Sequence, residues 1–320
     1  MRPRSTAGSL AGRPPAIMII GASGYLGRHV RDAAGAAGLE VSTAGRSALP
    51  DSPVHYLVDL ATDSPAAVAA TLAEQAPDVV VNCAGATGGD VGTLAAANVT
   101  GTATLVSALR RTGRSIRLVH LGSAAEYGPS EPGTAVAESD PARPAGAYGA
   151  TKLAATRLVE LGRVTGLDAV VLRVFNPVGP GAPDTILPGR LVAELRRATA
   201  DGDDVRLGPL DAVRDFVDAR DVADAAVAAA VAPALPAAVI NVGSGTGVPV
   251  RTLVRELVAI SGYDGSVTER AAAAGAGAGG ASWQQADIAR ARRDLDWEPR
   301  RDLAAALADL WEECRAPAAR

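Results

Sequence analysis

Tyr148 and Lys152 stand four residues apart in Tyr148-Gly149-Ala150-Thr151-Lys152, and Lys152 is the only lysine among 31 basic residues. In a chain so biased towards arginine, a single lysine marks a position that needs a compact ammonium rather than a planar fork. On a helix, residues four apart share one face, one turn from each other. The chemistry this pair suits is proton transfer by a phenol. A free phenol titrates near pH 10, so working near neutrality takes about three units, roughly 4 kcal/mol. One ammonium about 5 Å away supplies roughly 3 kcal/mol at an effective dielectric of about 20. The expectation is therefore a tyrosine made acidic by its lysine; the alternative is an ordinary Tyr and Lys on a surface helix.

A second hydroxyl comes from Leu118-Val119-His120-Leu121, a strand that runs into Gly122-Ser123-Ala124-Ala125-Glu126-Tyr127-Gly128. Ser123 falls at the carboxyl end of that strand, where open parallel sheets place their chemistry, and could polarise a carbonyl beside Tyr148; a plain turn serine is the alternative. His120, inside the strand, reads as a packed histidine. Cys83 reads as a small core residue rather than a nucleophile, since no base is evident beside it.

These residues need a scaffold, and the chain begins one at once. Ala16 to Ile20 is a short apolar run followed by Gly21-Ala22-Ser23-Gly24-Tyr25-Leu26-Gly27 and an alanine-rich helical pattern through Ala37. Strand, glycine turn and helix in that order predict a dinucleotide site. Gly21 makes the turn, Gly24 lets the backbone approach a pyrophosphate, and Gly27 lets the helix pack on the strand. The helix N-terminus then offers free N–H groups to phosphate.

The second strand, Glu40 to Ala44, ends in Gly45-Arg46-Ser47. An acidic residue there would hold a ribose hydroxyl, whereas an arginine suits the 2'-phosphate of NADP; Arg46 favours NADP and leaves NAD possible. Val54 to Val58 forms the next strand, and Asp59 and Leu60 after it either meet the adenine edge or, for Asp59, cap the following helix. Val79 to Asn82 is a buried parallel strand entering the small-residue loop of Cys83, Ala84, Gly85 and Ala86, where bulk would collide with a cofactor. Asn98 is read as opening a helix from Val99 to Leu109, either as a helix-packing amide or as a contact to the cofactor loop.

The glycine motif at 21 to 27, the Ser123 loop with Tyr127-Gly128 and the Tyr148/Lys152 pair together resemble the extended short-chain dehydrogenase/reductase family of nucleotide-sugar epimerases, dehydratases and reductases. The resemblance covers nearly the whole chain. It implies an α/β fold with a Rossmann-type doubly wound parallel sheet over residues 16 to 176. A smaller substrate-binding region over 177 to 320 would send segments back to the sheet. It also implies Ser123, Tyr148 and Lys152 as the catalytic set, a nucleotide-sugar substrate and a homodimer.

Arg173-Val174-Phe175-Asn176-Pro177 with Gly179-Pro180-Gly181 looks like the family's RxFNxxGPG segment, which implies nicotinamide contact around Phe175 and substrate contact by Asn176. The stretch from Leu207 to Val222 is similar to the segment in which an arginine holds the substrate pyrophosphate, and Arg214 takes that position; an Arg–Asp ion pair is the alternative. Guanidinium geometry matches paired phosphate oxygens. Trp297, in a segment like the family's LGWxP element, reads as packing.

Three reactions compete within such a family. A 4,6-dehydratase would carry an acid/base pair after the loop serine, where this chain has Ala124 and Ala125, beside the substrate. Arg46 and the 207 to 222 stretch, which looks most like GDP-4-keto-6-deoxymannose reductases and related enzymes, favour NADPH-dependent reduction of a sugar 4-keto group. A nucleotide-sugar 4-epimerase with retained NAD is the next reading, and a non-catalytic NADP-binding regulator represents another class.

Composition bounds the rest. A net charge of -4 and a pI near 5.5 give no electrostatic reason to bind nucleic acid or an anionic membrane. Two cysteines and three histidines lie far apart without metal spacing. No run of 18 or more apolar residues suggests a membrane span, and residues 1 to 15 read as a flexible arm without a signal-peptide core, so a cytoplasmic enzyme is expected. Residues 271 to 281, nearly all alanine and glycine, read as a mobile loop near the substrate entrance.

Overall fold

The computed structural model describes residues 13–52, 54–270 and 282–315. The expected mobile loop at 271 to 281 and most of the expected N-terminal arm lie outside the described residues. Within that arm, Arg13 is tied down by an ion pair with Asp78 at 3.0 Å.

The chain opens with β1 (Ala16–Ile20), α1 (Tyr25–Ala36), β2 (Glu40–Gly45) and β3 (His55–Leu57). There follow α2 (Pro65–Gln75), β4 (Val79–Asn82), α3 (Val91–Leu94), a π-helical turn at Ala95–Thr100, and α4 (Gly101–Arg111). β5 (Arg117–Ser123), a 3-10 turn at Ala124–Glu126, α5 (Ala147–Val164), β6 (Ala169–Val174) and β7 (Asn176–Val178) complete the first stretch. Beyond them come α6 (Leu187–Asp201), β8 (Val205–Leu207), β9 (Val213–Asp218), α7 (Ala219–Val231), β10 (Val239–Val242) and β11 (Gly247–Pro249). The last elements are α8 (Val250–Ser261), β12 (Val267–Glu269), β13 (Trp283–Gln284), α9 (Ala289–Leu295) and α10 (Leu303–Arg315).

Seven strands form one sheet in the order β10-β6-β5-β4-β1-β2-β3, every neighbouring pair parallel. This is the doubly wound Rossmann arrangement that the sequence predicts. Strands buried on both faces must be apolar almost throughout, which is why Ile17 to Ile20, Val79 to Val81 and Val170 to Leu172 show no polar alternation. One core packs α1, α7 and α9 on one face, and a second packs α2, α4 and α5 on the other. α7 is almost all alanine on its buried side, so it lies close against α1, and the same residues are good helix formers.

The order reverses between β1 and β4, and such a switch point leaves a crevice at the carboxyl ends of the strands. The later segments close that crevice. β7, β9, β11 and β13 make a second small sheet, and α6, α8 and α10 surround a third core on its far side. β10 returns to the main sheet as its edge strand beside β6. Trp297 is buried as expected, with its indole N–H donated to the Asp221 carbonyl at 3.0 Å.

Candidate active site

The first turn of the site is fixed by what will not fit there. Gly21 has φ +82°, and a Cβ on it would lie 2.7 Å from the Ala84 nitrogen at the end of β4. A Cβ on Gly27 would lie 2.1 Å from the Gly21 carbonyl oxygen. α1 starts at Gly24 with no side-chain cap, so its first N–H groups stay available. Gly24, Tyr25 and Leu26 face a cavity of about 770 Å³ whose walls also include Gly85, Ser123, Tyr148, Phe175 and Arg214. A bare helix N-terminus, a glycine turn that admits no side chain and an adjoining cavity fit a dinucleotide pyrophosphate.

On the opposite side of the switch point, the loop after β4 is stapled by Asn98. Its side-chain oxygen accepts the Ala86 N–H at 2.9 Å, and its amide donates to the Ala86 carbonyl and to the Thr151 hydroxyl, both at 3.0 Å. Asn98 does not open a helix at Val99, as the sequence suggested. It lies inside the π-helical turn, whose extra residue per turn sends its amide across to the loop.

Ser123 ends β5 and caps the 3-10 turn, its hydroxyl accepting the Ala125 N–H at 3.2 Å. The Tyr148 phenol comes near enough to the same serine for the Ser123 hydroxyl to lower its pKa, and both residues line one cavity. That meeting depends on Gly149, where a Cβ would come within 2.3 Å of the Ala125 carbonyl oxygen. α5 can therefore lay its first turn directly on the 124–126 turn. Gln284, from β13, donates to the Ala124 carbonyl at 3.0 Å and joins the cavity wall.

Lys152 is 7% exposed and donates to the Leu121 carbonyl, and a Cβ on Gly85 would stand 4.0 Å from its Nζ. It sits behind the wall at Gly85 and Cys83. The predicted acidity of Tyr148 is not delivered by this arrangement. Burial raises the Tyr148 pKa, the Ser123 hydroxyl lowers it, and the Glu126 charge raises it. Burial likewise lowers the Lys152 pKa, against the opposing pull of Glu126 and Cys83. Burial is the largest cause acting on Tyr148, and Lys152 is not among the groups that shift it; the ammonium donates to the Leu121 carbonyl instead.

The neighbouring candidates behave as packed residues. Burial pushes the Cys83 thiol up to about 12, which leaves it unreactive. His120 is buried against Asn82 and held neutral by burial and by Lys152.

Arg214 donates to the Ser282 carbonyl and hydroxyl, each at 2.7 Å, and to its own chain's Val213 carbonyl at 2.8 Å. The alternative of an Arg–Asp pair is not what forms: among the described residues no carboxylate meets it, and Asp215 is taken up by Ser244, Gly245 and Ala286. Asn176 lines the cavity and donates to the Asp215 carbonyl at 2.9 Å.

The expected cofactor set divides into groups. Gly24, Tyr25, Leu26, Gly85, Tyr148 and Phe175 reach the cavity, and Gly21, Gly27, Ala84, Ala86, Asn98 and Lys152 shape it from behind. Ser23 and Arg46 are exposed and off its wall. The Asp59 carboxylate accepts the Ala61 N–H at 3.0 Å and caps a turn, while helix α2 is capped by Ser64 instead. Leu60 is buried against α4, where a Cβ on Gly101 would meet its side chain at 3.3 Å. The expected substrate set of Ser123, Ala124, Ala125, Asn176 and Arg214 all lies on the wall.

Sequence reasoning assigned no role to Glu126 and Arg173. They form a fully buried ion pair at 2.8 Å directly beneath Ser123. The spacing Ser123-x-x-Glu126 was the available signal, since it is the pattern of a capping box.

No helix among the described residues is long and apolar enough to cross a membrane, and no cluster of metal-ligating side chains occurs among them. Comparison with known proteins agrees with the fold. The model of the NAD dependent epimerase/dehydratase family matches residues 17–243. The chain is 40% identical over 307 residues to the dTDP-6-deoxy-L-talose 4-dehydrogenase (NAD(P)(+)) of Kitasatospora kifunensis, covering 93% of this chain and 95% of the relative. It is 27% identical over 255 residues to the GDP-6-deoxy-D-mannose reductase of Pseudomonas aeruginosa, covering 77% and 80%. Among solved structures, MoeE5 in complex with UDP-glucuronic acid and NAD superposes with a TM-score of 0.81 at 27% identity, covering 94% of this chain and 99% of that one. From its glycine turn, its parallel sheet and these matches, the chain belongs to the NAD dependent epimerase/dehydratase family and is an NAD(P)-dependent enzyme of the extended short-chain dehydrogenase/reductase type.

Proposed function

We propose that this protein reduces the 4-keto group of a nucleotide-linked 4-keto-6-deoxy sugar, with NADPH as the reductant. The observation that carries the proposal is the pairing of Ser123 and Tyr148 on the cavity wall next to Ala124 and Ala125. Two hydroxyls suit a carbonyl being reduced, and the two alanines offer no acid/base pair for dehydration. The 4-dehydrogenase relative, whose name places its chemistry at C4 of a dTDP-linked 6-deoxy sugar, supports dTDP as the first nucleotide to try.

A dinucleotide bound in the cavity would supply the hydride. Gly24, Tyr25, Leu26 and Gly85 would hold it, with Lys152 at its ribose and exposed Arg46, at the end of β2, meeting a 2'-phosphate. Tyr148 gives its proton to the sugar O4. Its raised pKa suits that role, because the phenol stays protonated through neutral pH. Ser123 donates to the same oxygen as charge develops there. Arg214 and Asn176 hold the diphosphate and the sugar.

The enzyme is further proposed to be cytoplasmic and to pair through α5, whose Leu161 and Val164 are 60% and 84% exposed. NADPH consumption with a panel of dTDP- and GDP-linked 4-keto-6-deoxy sugars tests the reaction. Loss of absorbance with one of them is expected; none with any would overturn reduction. Interconversion of UDP-sugars without added cofactor would establish the 4-epimerase instead. A Tyr148→Phe protein with every measurable activity intact would favour a regulator.

A further inference from the structure

We propose that Glu126 is a positioning residue of the active site, holding Ser123 in place and setting the electrostatic field on Tyr148 from beneath. The proposal rests on the reading of Ser123 and Tyr148 as the reacting pair.

The geometry is specific. One Glu126 oxygen accepts the Ser123 backbone N–H at 2.9 Å, which fixes the residue that carries the hydroxyl. The other accepts the Thr156 hydroxyl from α5 at 2.8 Å and the Arg173 Nε–H from β6 at 2.8 Å. The carboxylate thus joins three elements: the end of β5, the helix that carries Tyr148 and Lys152, and the neighbouring strand. It is 0% exposed, and Gly122 must lack a side chain beside it, since a Cβ there would meet the carboxylate oxygen at 2.7 Å.

Arg173 stacks over the Tyr127 ring at 4.5 Å, and Tyr127 in turn donates to Asn241 at 2.7 Å, so the counter-charge is itself immobilised. A capping turn on a protein surface needs none of this. A neutral glutamine could fill the same capping role, so the buried charge calls for a further use.

The charged and titratable groups around the pair are few. Tyr148 feels Glu126, and Lys152 feels Glu126 and Cys83, with His120 on its other side. Glu126 opposes loss of the Tyr148 proton and favours the charged form of Lys152. It therefore keeps the proton on the phenol and the charge on the amine, the two states that keto reduction consumes and uses.

The test compares Glu126→Gln, which keeps the shape and loses the charge, with the parent. Tyr148 is followed by tyrosinate absorbance over a pH titration, as the difference between each protein and its Tyr148→Phe counterpart. This readout needs no substrate, so it stands apart from whether 4-keto sugars are turned over. The Tyr148 midpoint is expected to move to lower pH in Glu126→Gln. The alkaline fall-off of the rate should move to lower pH with the midpoint.

Should Glu126→Gln leave an unpaired guanidinium that prevents folding, Glu126→Gln/Arg173→Gln removes both charges and carries the same expectation. A folded variant whose Tyr148 midpoint matches the parent overturns the proposal. Failure of both variants to fold also overturns it, by assigning the pair to stability alone.

Discussion

At the scale of single residues, three side chains divide the proposed work, and each has its own test. Removing the Tyr148 hydroxyl should cost about 10²–10⁴-fold in kcat, the ordinary contribution of a positioned proton donor. Steady-state reduction by Tyr148→Phe checks this, and binding of NADPH should change little because the phenol is only one wall of the cavity. Arg46 answers a different question. It is exposed at the end of β2 with no ion pair among the described residues, so its charge is free for a phosphate. Arg46→Ala is expected to weaken NADPH binding about tenfold and NADH binding hardly at all, the size of one lost charge-assisted contact. Equal weakening of both by titration calorimetry would remove the argument for NADP. Tyr148 also shows the limit of reasoning from sequence spacing: the ammonium four residues away is present, yet burial, Ser123 and Glu126 are what shift the phenol, burial most of all.

At the scale of elements, the site is made by two close approaches of backbone to backbone. α1 reaches the glycine turn because Gly27 has no side chain, and α5 reaches the 3-10 turn because Gly149 has none. Gly149→Ala would set a methyl group 2.3 Å from the Ala125 carbonyl oxygen and 3.0 Å from Pro144, so α5 must move away. The expected cost is about 1–3 kcal/mol of stability, as for other overpacked sites. Activity should fall further than stability does, because Tyr148 leaves Ser123 when the helix shifts. Urea midpoints measured beside kcat separate the two effects. A variant that is destabilised yet fully active would show that the helix does not position the phenol. The strands β1 to β5 of the main sheet and the helix after the glycine turn were legible beforehand, since parallel strands buried on both faces leave unbroken apolar runs, whereas the short strands of the second sheet were not. The π-helical turn at Ala95–Thr100 was not, because nothing in its composition separates it from an ordinary α-helix.

At the scale of the whole molecule, the sheet supplies a crevice at its switch point, and the segments after β6 supply the wall that closes it. Arg214, Ser282 and Gln284 come from that later part, and the cavity is complete only where they meet Ser123 and Tyr148. The outer face of α5 lies away from this crevice and carries two exposed apolar side chains. In a homodimer packed through α5, Leu161→Arg together with Val164→Arg should give a monomer, as measured by light scattering, with NADPH binding preserved. Unchanged mass would move the interface elsewhere.

Local spacing and apolar runs were enough for the glycine turn and for the strands around it, and they singled out Tyr148 with Lys152; the doubly wound order of the sheet and the joint role proposed for Ser123, Tyr148 and Lys152 came with the family resemblance. Only the tertiary structure decided that Glu126 meets Arg173, that Asn98 staples Ala86, that Arg214 rests on Ser282, and that Tyr148 is made less acidic rather than more. Each of these is a matter of which distant group is near and how much water is excluded. Neither quantity is written in the neighbouring residues; both arise when the sheet closes and its loops converge.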